Sequence, residues 1–118
     1  MKKINRIRKS GDFKKTIEGS KSARTEAFVI YLKPNSLGYL RIGISTSKKL
    51  GGAVVRVKVR RQIRAFFAVY NMYKKSYDIV IAARPGFLTR KSSENRDELL
   101  KKLNSLMIKG ETQREEGK

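Results

Sequence analysis

The chain has 118 residues, room for one domain and one modest core, and its apolar share of 39% lies a little below the roughly 45–50% usual in globular proteins. With 29 Lys and Arg against 10 Asp and Glu it carries a net charge of +19, which makes nucleic acid the first candidate partner and an anionic membrane surface the second. The absence of Cys and His excludes a disulfide framework, thiolate chemistry and the usual zinc ligand sets.

The apolar runs, such as Ala65 to Tyr70, are too short to cross a membrane, and the basic start lacks the apolar core of a signal peptide, so a cytoplasmic protein is expected. Along the chain, Phe13 and Ile17 at i, i+4 predict a short helix over 11–18, with Ser10 as its N-cap. Ala27 to Leu32 alternates as a strand, with Phe28, Ile30 and Leu32 on one face and Val29 and Tyr31 on the other. A turn through Pro34, Asn35, Ser36 and Gly38 leads into a second strand, Tyr39 to Ser45, and the short spacing predicts a hairpin between the two.

A basic loop, Ser47 to Gly52, precedes a long helix whose apolar positions Val55, Val59, Ile63, Phe66, Phe67 and Tyr70 form one stripe. Tyr77 to Ala83 is a third strand, stopped by Arg84, Pro85 and Gly86. A last helix over 93–108 carries Leu99, Leu100, Leu103, Leu106 and Met107 on one side and Glu94, Asp97 and Glu98 in its first turns. The expected fold is α+β, one αββαβα sandwich of helices on a small sheet, with a domain over 1–109 and a disordered polar tail over 110–118.

No Asp or Glu occurs between Glu26 and Asp78, while Lys33, Arg41, Lys48, Lys49, Arg56, Lys58, Arg60, Arg61, Arg64, Lys74 and Lys75 all do. Arg56, Arg60 and Arg64 form an i, i+4, i+8 row near the start of a helix, where like charges repel and the macrodipole disfavours cations. The placement points to a partner that supplies the missing negative charge. No catalytic residue and no metal site can be assembled: a protein nuclease needs a base near neutral pH or a carboxylate cluster for Mg²⁺, and Glu94, Asp97 and Glu98 read as acids complementing a helix dipole. Gly51 and Gly52 read as a turn before a helix, since no phosphate-loop motif follows. Phe13 and Tyr31 are core or base-stacking residues; the spacing alone leaves both open.

The run Arg41-Ile-Gly-Ile-Ser-Thr-Ser-Lys-Lys-Leu-Gly-Gly-Ala-Val-Val-Arg-Val-Lys-Val-Arg-Arg-Gln-Ile-Arg64 resembles the signature of the bacterial ribonuclease P protein family, close to R-x-G-x-S-x-S-K-K-x-G-N-A-V-x-R-N-R-x-K-R-x-I-R. Asp12 and Phe13 in the first helix, and the strand from Tyr77 to Arg84, extend the match. The resemblance implies a left-handed β-α-β crossover, against the usual right-handed rule. It also implies a small protein bound to a catalytic RNA that removes the 5′ leader of precursor transfer RNA with Mg²⁺ held mainly by the RNA, with no organic cofactor, membrane or obligate protein partner. On that footing Lys48, Lys49, Arg56, Lys58, Arg60, Arg61 and Arg64 would contact the catalytic RNA, and Phe13 and Tyr31 the leader. The sequence departs from the pattern at Gly52 and Val57, where the family has Asn, at Lys58, where it has Arg, and at Ile17, where an aromatic is frequent. Val57 forgoes a polar contact, and Lys58 keeps charge without the bidentate geometry of Arg. A structural protein that only scaffolds RNA or DNA is the alternative from another class; an autonomous Mg²⁺ nuclease would need the carboxylate cluster that is missing.

Overall fold

The computed structural model describes the backbone of Ile7 and of residues 10–69 and 75–116, and the side chains of Ile7, 14–68 and 75–107. The elements run α1 (Ser10–Ile17), β1 (Lys21–Arg24), β2 (Phe28–Pro34), β3 (Arg41–Thr46), a 3-10 turn (Lys48–Leu50), α2 (Ala53–Val69), β4 (Tyr77–Ala83), a second 3-10 turn (Pro85–Thr89) and α3 (Ser92–Glu116). The α+β class holds, with one strand more than expected. β1 has the sequence Lys-Ser-Ala-Arg and no apolar alternation to announce it; it is held by antiparallel pairing to β2, from Lys21 opposite Leu32 to Arg24 opposite Val29.

The strands lie in the order β1-β2-β4-β3. The expected hairpin between β2 and β3 does not form, because β4 inserts between them, antiparallel to β2 and parallel to β3. The reason is legible in β4 itself. Ile79 and Ile81 are buried on one face and Val80 on the other, and a strand apolar on both sides belongs at the centre of a covered sheet, not at its edge. The parallel pair β3 and β4 is joined through α2, which is the crossover unit the resemblance implies.

One face of the sheet carries the core. Phe28, Ile30 and Leu32 of β2, Ile42 of β3 and Ile79 and Ile81 of β4 pack against Val59, Ile63, Phe66 and Phe67 of α2 and Leu99, Leu103, Leu106 and Met107 of α3. Truncating any of these fully buried side chains to Ala should cost about 2–5 kcal/mol. The other face is covered by α1: Val80 and Thr16 are buried outside that cluster, and Lys33 Nζ on β2 donates to the Lys15 carbonyl of α1 at 3.3 Å.

Past β4 the chain is pinned tightly. The Arg84 N–H donates to the Ala27 carbonyl at 2.8 Å, Arg84 Nη1 donates to the Thr25 carbonyl at 2.5 Å, and Asn95 Nδ2 donates to the Phe87 carbonyl at 2.9 Å. A Cβ on Gly86 would stand 2.3 Å from the Glu26 carbonyl oxygen, so only glycine fits there. α3 continues beyond its expected end at Ile108 and runs through Glu116, across most of the stretch 110–118 expected as a disordered polar tail; Gly110 does not act as a cap, and Glu111, Gln113, Arg114 and Glu115 are compatible with continued helix. Tyr70 lies outside the described residues.

Candidate nucleic-acid interface

α2 begins where β3 leaves the sheet. Leu50, buried in the core, anchors the Lys48–Leu50 turn, so Lys48 and Lys49 beside it are turned to solvent. Gly51 has φ 134°, and the Val55 Cβ would lie 3.4 Å from a Cβ placed on it, which makes glycine the fitting residue between turn and helix. No acid stands in the first turn of α2, leaving its free N–H groups and the positive end of its dipole uncompensated.

The cations of α2 divide by exposure. Lys58 and Arg61 are exposed, whereas Arg56, Arg60 and Arg64 are half-buried along the helix edge that faces β3. Arg60 Nη1 approaches Thr46 Oγ1 of β3 at 3.5 Å. Arg56 Nε is buried with no hydrogen-bond partner among the described residues. Long stems laid along apolar surface with charged heads at the rim are the expected compromise for such residues. All seven cations singled out in the sequence therefore gather on α2 and the turn leading into it. Arg41, from the same carboxylate-free stretch, does not join them.

Arg41 is committed inside the protein. Its Nε and Nη2 donate to Asp78 at 2.9 and 2.6 Å, and Asn35 Nδ2 donates to the same carboxylate at 2.8 Å. Ser76 Oγ donates to Asn35 Oδ1 at 2.6 Å, tying the β2–β3 loop to the start of β4. Burial pushes the Asp78 carboxyl up, but the hydrogen bonds from Arg41 and Asn35 and the charges of Arg41 and Lys33 outweigh it, so the carboxyl sits below its ordinary range. This network escaped sequence reasoning because 37 residues separate the partners. The available signal was that Asp78 is the sole acid in any strand.

Two acids at the start of α3 are likewise engaged. Glu94 and Glu98 both pair with Arg90, which enters the helix from the preceding turn. Among the described residues no three His, Cys, Asp or Glu side chains converge as a metal set. Tyr31 lies on the other face of the sheet, in register with Ser22, Val80 and, through Val80, Gly43, and is half-buried on the side that α1 covers. Phe13 belongs to α1, and its side chain lies outside the described residues.

A mixed four-stranded sheet with a carboxylate-free basic helix on one side defines an α+β domain with one strongly cationic helix. The sequence profile of the Ribonuclease P family matches residues 1–107, and the chain belongs to that family. It is 40% identical over 111 residues to the ribonuclease P protein component of Mesoplasma florum, covering 92% of this chain and 97% of that one. The structure of the Staphylococcus aureus RNase P protein superposes with a TM-score of 0.76 at 33% identity, over 86% of this chain and 96% of that one. The Thermotoga maritima RNase P protein does so at 0.72 and 31%, over 86% and 94%. The chain is thus a protein subunit of an endoribonuclease ribonucleoprotein whose other component is RNA. No described helix is long and apolar enough to cross a membrane.

Proposed function

We propose that this chain assembles with the catalytic RNA of ribonuclease P through Lys48, Lys49, Arg56, Lys58, Arg60, Arg61 and Arg64, holds the 5′ leader of precursor transfer RNA at Tyr31 and Phe13, and acts in the cytoplasm. The observation that carries this is the concentration of those cations on α2 and its preceding turn, with no acid on the helix. The helix itself supplies no carboxylate, so the repulsion within its arginine row is relieved when phosphates arrive.

The chain's own part is binding and positioning. Among the described residues no three carboxylates converge as a Mg²⁺ site would need, and Asp78 is already held by Arg41 and Asn35 and Glu98 by Arg90. Hydrolysis of the phosphodiester, and the Mg²⁺ that supports it, are assigned to the RNA. Tyr31 offers a ring face to an unpaired base, on the sheet face opposite α2, so leader and catalytic RNA would meet different sides of the protein.

The reading is tested by titrating the catalytic RNA with protein at several salt concentrations, then titrating the complex with precursor and with mature transfer RNA. It requires tight, salt-sensitive assembly and a preference for the precursor. Salt-independent assembly, or equal affinity for both transfer RNAs, overturns it.

A further inference from the structure

Among the described side chains of α2 the exposed ones are Ala53, Val54, Val57, Lys58, Arg61, Ala65 and Ala68, and most of them are apolar. Val54 is 80% exposed and Val57 39%. Neither helix propensity nor core packing accounts for two β-branched apolar residues on the solvent side of a surface helix. Positions 54, 57, 61, 65 and 68 recur at intervals of three and four, so they form one ridge along the outward side. Arg56, Arg60 and Arg64 run along one flank of that ridge, Lys58 stands on the other, and Arg61 interrupts it between the valines and the alanines. An open hollow of about 400 Å³ lies on it, lined by Ala53, Val54, Val57, Lys58 and Arg61.

We propose that this ridge is an apolar seat for the sugar and base faces of the partner RNA, with the flanking cations taking phosphates to either side. The inference rests on the assembly reading above and adds to it a contact that carries no charge. Charge complementarity selects the occupant. A second copy of this chain would bring +19 against +19. An acidic protein would need carboxylates along both flanks of an apolar centre. A lipid surface is met by aromatic and long aliphatic anchors, which the Val and Ala of the ridge do not supply. Nucleosides between phosphates have the required alternation of apolar face and negative charge.

The test uses the full chain and the catalytic RNA, with affinity measured across a salt series. A V54A/V57A variant should keep its helix content and Tm, because Ala is the better helix former and neither side chain is in the core. Its affinity should fall about tenfold at every salt concentration, with the slope of log K against log salt unchanged. K58A/R61A should instead lower the slope. A V57N variant should bind no better than V57A. Unchanged affinity of V54A/V57A, a slope lowered as in K58A/R61A, or tighter binding by V57N overturns the proposal. So does wild-type self-association in sedimentation that V54A/V57A abolishes, which would give the ridge to a second copy. A wild-type chain that fails to bind the catalytic RNA overturns the assembly reading itself, and the two failures are thereby told apart.

Discussion

Replacing Asp78 by Asn removes the one acid in the sheet with little change of shape. The carboxylate accepts three hydrogen bonds, two from Arg41 and one from Asn35; the amide keeps one oxygen and turns an NH₂ toward a guanidinium. A hydrogen bond to a charged group contributes about 1.5–3 kcal/mol, and removing one partner of a buried pair costs about 3–5 kcal/mol. The Arg41 side chain is 28% exposed, so water screens part of the loss. The expected cost is about 2 kcal/mol, a fall in Tm of roughly 6–12 °C for a domain of this size.

The pH dependence has a definite sign. The folded carboxyl ionises at lower pH than the unfolded one, whose value is about 3.9. Its contribution is therefore complete above the unfolded value and is lost as pH falls through the lowered folded value. Urea unfolding at pH 7 and again near pH 3 should show the wild type losing more stability than D78N. Replacing Arg41 by Ala should leave affinity for the catalytic RNA and its salt slope as in the wild type, because Arg41 is spent internally on Asp78. An unchanged Tm at pH 7 would refute the reasoning. So would an R41A salt slope reduced by the roughly 0.7–0.9 that one phosphate contributes.

Three further outcomes are expected. R61A should weaken assembly with the catalytic RNA and flatten its salt dependence by about one phosphate while Tm holds or rises, whereas R56A should also lose some packing because its stem is half-buried; melting curves beside the salt series separate the two. Y31A should assemble normally yet lose about 1–3 kcal/mol of affinity for precursor transfer RNA, with mature transfer RNA bound almost as before, and an equal loss for both would return Tyr31 to the general surface. G86A forces a methyl against the Glu26 carbonyl and should destabilise the fold by more than about 2 kcal/mol in urea unfolding, without altering the salt slope of whatever protein remains folded.

The alternation of β2 was readable because one face meets the core and the other does not, and the stripe of α2 from Val55 to Phe67 because burial on a helix has a period. Pairing was not. Sequence proximity favoured a β2–β3 hairpin, while the two-sided burial of Val80 beside Ile79 and Ile81 drew β4 between them. β1 carries no apolar periodicity because none of its four residues is fully buried, so nothing selects apolar side chains at alternate positions. The cations of the candidate interface were legible one by one, since an acid-free stretch is a linear property. That Arg41 is excluded from it, and that Val54 and Val57 form the outward ridge of the same helix, required the fold.

The central claim is that this chain serves an RNA catalyst and has no cleavage chemistry of its own. The most direct measurement is cleavage of 5′-labelled precursor transfer RNA at low Mg²⁺ by highly purified protein, by the catalytic RNA, and by the two combined. The expected result is no cleavage by the protein, slow cleavage by the RNA and rapid release of the intact leader by the mixture; Mg²⁺-dependent cleavage by the protein alone, or a mixture no faster than the RNA, would contradict the account.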